Sequence, residues 1–347
     1  MILRQLVLFS AAVSALLVGS TGIVFAQAES SQSSSQSTTF GPRLEGFEYP
    51  FKTEMMAVSS QGQSLEMAFM DMAAENPNGR TVVLLHGKNF CGATWEATIN
   101  SLTQAGYRVI APDQIGFCKS SKPQAYHFSF HQLAENTKAL LDSRGVEKAT
   151  VLGHSMGGML ATRFALMYPD VTEQLVLVNP IGLEDWKAKG VPYQTIDAAF
   201  EGEKKTNFDG IKQYQHKFYY SGQWKPEYDK WVAMSAGMYR GEGGEQVAWN
   251  QALTSDMLFT QPVVHEFSQI KVPTLLMIGM TDKTAPGANR APEAIASTLG
   301  DYTQLGKQAA EAIPGAKLVE WEDLGHSPQI QAPDRFHQAL LDGLTNS

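Results

Sequence analysis

The chain has 347 residues, 43% hydrophobic and 18% charged, with a formal net charge of −8 at pH 7. This composition is that of a globular protein long enough for a large core with an insertion, or for two small domains, and it excludes a disordered chain. The acidic balance argues against a nucleic-acid partner and against a polybasic membrane contact.

Residues 1–28 read as a signal peptide. Arg4 supplies a minimal positive start, Leu6–Val18 an apolar stretch, and both Val24-Phe25-Ala26 and Ala26-Gln27-Ala28 satisfy the small-residue cleavage rule. The rival is an uncleaved anchor over Leu6–Phe25, but Ser10, Ser14, Ser20 and Thr21 dilute that run. No cysteine lies near the cleavage site, so a lipoprotein signal is not indicated. A Ser/Gln-rich flexible linker follows at 29–40. The mature protein is expected to be exported, to a periplasm or the medium, with no stable membrane insertion.

Phe51–Val58 and Leu65–Asp71 predict two strands joined by a Ser-Ser-Gln-Gly-Gln turn. Thr81–Leu85 predicts a third strand, with a helix within Ala93–Gln104, and Tyr107–Ala111 a fourth. A helix over Phe130–Ser143 precedes the buried strand Ala149–Leu152, a helix over Met156–Met167 and the strand Gln174–Val178. This alternation specifies a mostly parallel, doubly wound α/β sheet, with ligands beyond the carboxyl ends of its strands. From about Ile181 to Pro262 the rhythm stops and aromatics accumulate, Tyr193, Tyr214, Tyr219, Tyr239 and Trp249 among them. We read residues 181–262 as a mostly helical lid between core segments 41–180 and 263–347. Any one ring more often packs lid helices than grips a ligand. Gly237, Gly241, Gly243 and Gly244 suggest a mobile loop or plain turns. Strands at Pro273–Gly279 and Lys317–Trp321 and a helix from near Pro333 complete the pattern.

Between the strand at 149 and the helix at 156 stands Gly153-His154-Ser155-Met156-Gly157, a G-x-S-x-G elbow that would expose the Ser155 hydroxyl on a tight turn. A plain helix N-cap serine would look alike. Serine needs a base, and the base an orienting acid. Of eight histidines, His326 fits the base best, in a loop after the last strand, where a solvated surface histidine is the bland alternative. Asp282, after the strand ending at Gly279, fits the acid; an Asx-turn aspartate is its bland alternative. Asp256, Asp301 and Asp323 follow no apolar strand and rank lower. The oxyanion hole would take the N–H of Met156 and that of Lys88, with Asn89 as second choice. His86 reads as structural, bonded to nearby backbone.

Four stretches carry a family likeness: Leu84-Leu85-His86-Gly87, Ala111-Pro112-Asp113-Gln114-Ile115-Gly116-Phe117, Gly153-His154-Ser155-Met156-Gly157-Gly158 and Asp323-Leu324-Gly325-His326-Ser327-Pro328. Their order resembles the α/β-hydrolase superfamily, in the lid-containing serine hydrolase branch with carboxylesterases and C–C bond hydrolases, over roughly residues 50–345. The resemblance implies an α/β-hydrolase fold with an inserted helical lid, and the roles nucleophile for Ser155, acid for Asp282, base for His326 and oxyanion donors for Lys88 and Met156. Ser155 stands where epoxide hydrolases and haloalkane dehalogenases carry aspartate. Cys118 stands where glycine is usual.

In the resembled fold the strands before Cys91 and Cys118 are adjacent, so the two cysteines could form a disulfide bracing the oxyanion loop; two buried free thiols are the alternative. His127 and His131 lack a catalytic Glu and read as a surface pair, so no metal is expected, nor any cofactor. The expected activity is hydrolysis of a carboxylic ester through an acyl-enzyme, on a small-molecule substrate with an apolar portion. The same triad could act on a lactone, an amide or a C–C bond, and a non-catalytic binding protein could share the scaffold.

Overall fold

The computed structural model describes residues 38–345, so the expected signal peptide and most of the linker lie outside the described residues. Eight strands form one sheet: β1 (Thr53–Ser60), β2 (Gln63–Met72), β3 (Thr81–Leu85), β4 (Arg108–Pro112), β5 (Ala149–His154), β6 (Thr172–Val178), β7 (Thr274–Gly279) and β8 (Lys317–Trp321). Their spatial order is β1-β2-β4-β3-β5-β6-β7-β8. The β1–β2 and β2–β4 pairs are antiparallel, and all others are parallel. This is the mostly parallel α/β-hydrolase sheet that the motifs imply.

The first hairpin is tighter than its sequence suggests. Gln61 and Gly62 alone make the turn, both at positive φ (52° and 73°), so pairing runs to Ser60↔Gln63. Left-handed values at both turn residues match the strand twist of a two-residue hairpin, which extends the ladder by two residues on each arm.

The helices of the core are α1 (Glu96–Gln104), α2 (Phe130–Ser143) and α3 (Met156–Met167). The insertion between β6 and β7 contributes α4 (Ile196–Glu203), α5 (Phe208–Tyr214), a π-helical turn (Gln215–Tyr219), α6 (Asp229–Arg240) and α7 (Gly244–Thr260). The chain closes with α8 (Glu293–Ala296), α9 (Tyr302–Ala312), α10 (Pro328–Gln331) and α11 (Pro333–Thr345).

Strand side chains alternate between two faces. Val82, Leu84, Leu152 and Met277 pack with Ile99 of α1 and Phe336 and Leu340 of α11. Val83, Leu85, Val151 and Ile278 pack with Leu133 of α2, Leu160 of α3 and Leu305 of α9. Because both faces are covered, the central strands are apolar throughout, and the strict two-residue alternation of a half-exposed strand is absent.

Of the two readings of the glycines near residue 240, the plain turn is observed: residues 241–243 turn the chain between α6 and α7, with Gly244 N donating to Gly241 O, and the glycines are also packing positions. A Cβ on Gly237 would lie 2.4 Å from the Phe40 ring, and one on Gly243 would lie 2.3 Å from Pro42. Phe40 N donates to Gly237 O at 2.9 Å. The last residue assigned to the linker, Phe40, is therefore docked on the helical insertion. No helix among the described residues is long and apolar enough to cross a membrane.

Candidate active site

Strands β3, β5, β6, β7 and β8 are parallel, so their carboxyl ends share one edge of the sheet. Each end delivers one part of the site: His86–Phe90 after β3, Ser155 after β5, Asn179 after β6, Asp282 after β7 and His326 after β8.

Ser155 has φ 57° and ψ −120° and makes no side-chain cap hydrogen bond. An N-cap serine has extended backbone and caps the next turn, so the cap reading does not describe this residue. Positive φ in a residue with a Cβ is a strained state that persists when the surroundings enforce it. Here the enforcement is steric: a Cβ on Gly153 would sit 2.0 Å from Gly157 O, and one on Gly157 would sit 2.1 Å from Leu85 O. The strand, the helix and β3 meet so closely that only glycine fits on either side of the serine.

His326 and Asp282 are wholly buried, and His326 Nδ1 lies 2.6 Å from Asp282 Oδ2. Asp282 Oδ1 accepts from Thr284 N (2.8 Å), and Oδ2 also accepts from Asn179 Nδ2 (3.1 Å). A carboxylate only accepts, so the pairing fixes the histidine proton on Nδ1 and leaves Nε2 as an acceptor. His326 Nε2 is buried with no hydrogen-bond partner. The Ser155 hydroxyl forms no hydrogen bond to it in this state. Hydrogen bonds between a nucleophile and its base commonly tighten only when substrate arrives. His154, next to Ser155, holds the histidine from the other side. Its Nε2 donates to His326 O at 2.8 Å, and the two rings lie 4.9 Å apart. Burial, and then the neighbouring His326, push the His154 pKa well below the usual histidine value, so His154 stays neutral.

The loop His86–Phe90 packs directly on the serine, since a Cβ on Gly87 would lie 3.0 Å from Ser155 Cβ. Met156 opens α3, where the first backbone N–H groups lack a partner inside the helix. Among the described residues Lys88 N–H likewise donates to no protein acceptor. His86 is held by backbone: Nδ1 faces Gly87 O at 2.8 Å, and Nε2 accepts from Gln114 N at 3.1 Å. Asn89 is turned to the insertion and donates from Nδ2 to Tyr219 OH at 2.9 Å. The lower-ranked acids are engaged elsewhere: Asp256 with Tyr193, Asp301 with Thr303 and Asp323 with Arg335.

Cys91 and Cys118 are bonded to each other, with Cα atoms 5.9 Å apart. Cys118 has φ 46°, the left-handed backbone that explains why glycine is usual there. Asp113 ties the same loops, accepting from Gly92 N, Tyr49 OH and Lys119 N.

Three residues at the site were given no individual role by the sequence. Asn179 bonds both Gly279 and Asp282. Phe90 and Tyr219 stack at 5.6 Å, and Tyr219 stacks on His326 at 4.5 Å. Tyr219 thus covers the histidine and, through Asn89, holds the loop after β3. Lys88 Nζ pairs with Glu203 of α4 at 2.9 Å, and Glu203 also accepts from Tyr239 OH.

A cavity of about 460 Å³ lies between the insertion and the loop after β3. Lys88, Asn89 and Phe90 line it, but Ser155, Asp282 and His326 do not. Of the rings singled out in the insertion, only Tyr214 and Tyr239 line it, and Tyr219 instead covers His326. Tyr214 keeps 38% of its surface exposed, and that surface belongs to the cavity wall. The protein nonetheless surrounds its phenol, and burial pushes its pKa up.

A strand–elbow–helix serine with a buried histidine–carboxylate pair on one sheet edge defines a hydrolase of the α/β type. The alpha/beta hydrolase fold family model matches residues 80–333, and the chain belongs to that family. It is 26% identical over 312 residues to a 2-hydroxy-6-oxononadienedioate/2-hydroxy-6-oxononatrienedioate hydrolase of Comamonas testosteroni, covering 85% of this chain and 96% of the relative. It is 29% identical over 283 residues to lipase 1 of Psychrobacter immobilis, covering 78% and 80%. The crystal structure of a "probable hydrolytic enzyme" from Pseudomonas aeruginosa PAO1 superposes with a TM-score of 0.89 at 60% identity, covering 89% of this chain and 99% of that one.

Proposed function

We propose that the protein is an exported serine hydrolase that cleaves a carboxylic ester through an acyl-enzyme. The observation that carries this reading is the buried His326–Asp282 pair, with a free Nε2, at the same sheet edge as the strained Ser155. Ser155 Oγ attacks the acyl carbonyl while His326 Nε2 takes its proton, and Asp282 stabilises the imidazolium without accepting that proton. The N–H groups of Lys88 and Met156 receive the oxyanion, each worth about 10²–10³ in rate. His326 then protonates the leaving alcohol and afterwards activates water to release the acyl group.

The helical insertion acts as the lid. Its Glu203 and Tyr219 touch Lys88 and Asn89, so lid and oxyanion loop are joined by polar contacts. Export is supported by the signal pattern at 1–28 and by the Cys91–Cys118 bond, since disulfides persist in oxidising compartments. A second reading, cleavage of a C–C bond beside a ketone by the same triad, is favoured by the likeness to the Comamonas enzyme.

One experiment tests both halves. Hydrolysis of p-nitrophenyl esters is expected in the periplasmic or medium fraction, and Ser155→Ala should lower it by ~10⁴-fold or more while the fold survives. Near-normal ester turnover in the variant would remove Ser155 from its role. Turnover of a vinylogous diketone with no ester turnover would select the second reading.

A further inference from the structure

The cavity wall holds a side chain that the fold leaves unsatisfied. Gln215, at the start of the π-helical turn, lines the cavity and is 0% exposed, and neither its Nε2 nor its Oε1 has a hydrogen-bond partner. It is the one described residue with both polar side-chain atoms buried and unpaired. Exchanging the nitrogen and oxygen of the amide changes nothing, because one donor and one acceptor stay unmet either way. Leaving such groups unpaired is costly, and a native fold tolerates it mainly where something else supplies the partner. π-helical turns of this kind recur at functional positions. Gln251 of α7 lines the same cavity, 7% exposed, with Oε1 also unpaired. The wall carries apolar side chains, Met238, Val247, Leu258 and Phe259 among them, beside charged ones such as Lys122, Glu203, Asp256 and Arg290.

We infer that this cavity carries a subsite for a carboxamide group, borne by the part of the substrate remote from the bond that is cut. The inference rests on the hydrolase reading above and names the substrate class for it. A carboxamide presents a C=O for Gln215 Nε2 and an N–H for Gln215 Oε1, and its second N–H suits the acceptor on Gln251. An alkyl chain satisfies neither atom, a carboxylate only the donor, and an ammonium only the acceptor. The subsite is also placed to report occupancy. Gln215 and Tyr219 are the two ends of one turn, and Tyr219 is the ring stacked on His326.

The test uses the full mature protein and p-nitrophenyl esters whose acyl chain ends in a carboxamide, a carboxylate or the isosteric isopropyl group, at matched chain lengths. At the best length, kcat/KM should favour the carboxamide over the isopropyl ester by about tenfold or more, against the ordinary preference of an apolar pocket. Gln215→Leu should bring that ratio close to one, and Gln251→Leu should lower it. The same ratio should appear in calorimetric binding of the intact esters to Ser155→Ala. Loss of turnover with the binding preference intact would count against the hydrolase reading alone. An isopropyl ester favoured at every length in wild type would mean that ordered water alone fills these atoms, and would overturn the subsite. A leading carboxylate ester would overturn it in favour of a cationic site. If Gln215→Leu does not fold, the wild-type ranking and Gln251→Leu still decide.

Discussion

Asp282 is the residue whose neighbours define its task most completely. Three donors converge on its two oxygens: His326 Nδ1, Asn179 Nδ2 and Thr284 N. Asp282→Asn replaces one acceptor with a donor, so one of the three N–H groups must face another N–H. The imidazole then loses the partner that keeps its proton on Nδ1. We expect kcat to fall by ~10⁴-fold, as for a triad held in the wrong tautomer, with a smaller loss of stability from the unpaired donor. Ester kinetics with a urea titration checks this, and a loss below tenfold would show that Asp282 only supports the loop. Ser155, Asp282 and His326 were legible as candidates because each stands in a motif that follows a predicted strand. Asn179, Tyr219 and Gln215 were not, because their importance lies in which distant atoms they meet. Asn179 has φ 35°, a left-handed value that asparagine tolerates, and only the structure shows it.

At the scale of the element, the elbow is a steric joint between three backbones. Gly157 admits α3 to within van der Waals contact of β3, and the Cβ of an alanine there would meet the Leu85 carbonyl at 2.1 Å. A backbone obstacle cannot rotate away. Gly157→Ala should therefore cost stability well beyond the ~1 kcal/mol that alanine normally gains over glycine in a helix, and should reverse its sign. Soluble yield and the urea midpoint read the effect, and a variant as stable as wild type would mean that α3 is free to shift. Strand and helix positions were readable from runs and breakers: β3, α2, α3 and β8 begin and end where the sequence predicts. The hairpin ends were misread, whereas of the two readings of the insertion glycines the plain turn is the one observed at 241–243. Whether a glycine makes a turn or a seat for another chain segment depends on what lies over it, and Phe40 and Pro42 are far away in sequence.

For the whole molecule, buried histidines set an acid limit. Burial pushes His86 and His154 below the usual histidine value, and burial pushes His337 down to about 4. In the unfolded chain these rings take up protons near pH 6.5, while in the fold they do not. Below that pH the unfolded state binds more protons, so stability is full above about pH 6.5 and falls as the pH drops toward about 4. His337 Nε2 meets Thr98 Oγ1 at 3.0 Å and joins α11 to α1. Unfolding free energies measured across this range should slope downward with acid, and His337→Gln should flatten the slope. A pH-independent midpoint between those limits would show that the rings are reached by protons without unfolding.

The sequence by itself determined the sheet, the order of strand and helix, the family and the three residues of the proposed triad. Those properties follow from local patterning: apolar runs, small residues at turns, and functional side chains at strand ends. Only the tertiary structure decided that Tyr219 covers His326, that Lys88 is paired to Glu203 through its side chain, and that Gln215 has no partner. Those depend on how the helical insertion, about 80 residues with no strand to register it, settles on the sheet edge. Side-chain packing fixes that position, and packing between segments distant in the chain leaves no periodic trace in the sequence.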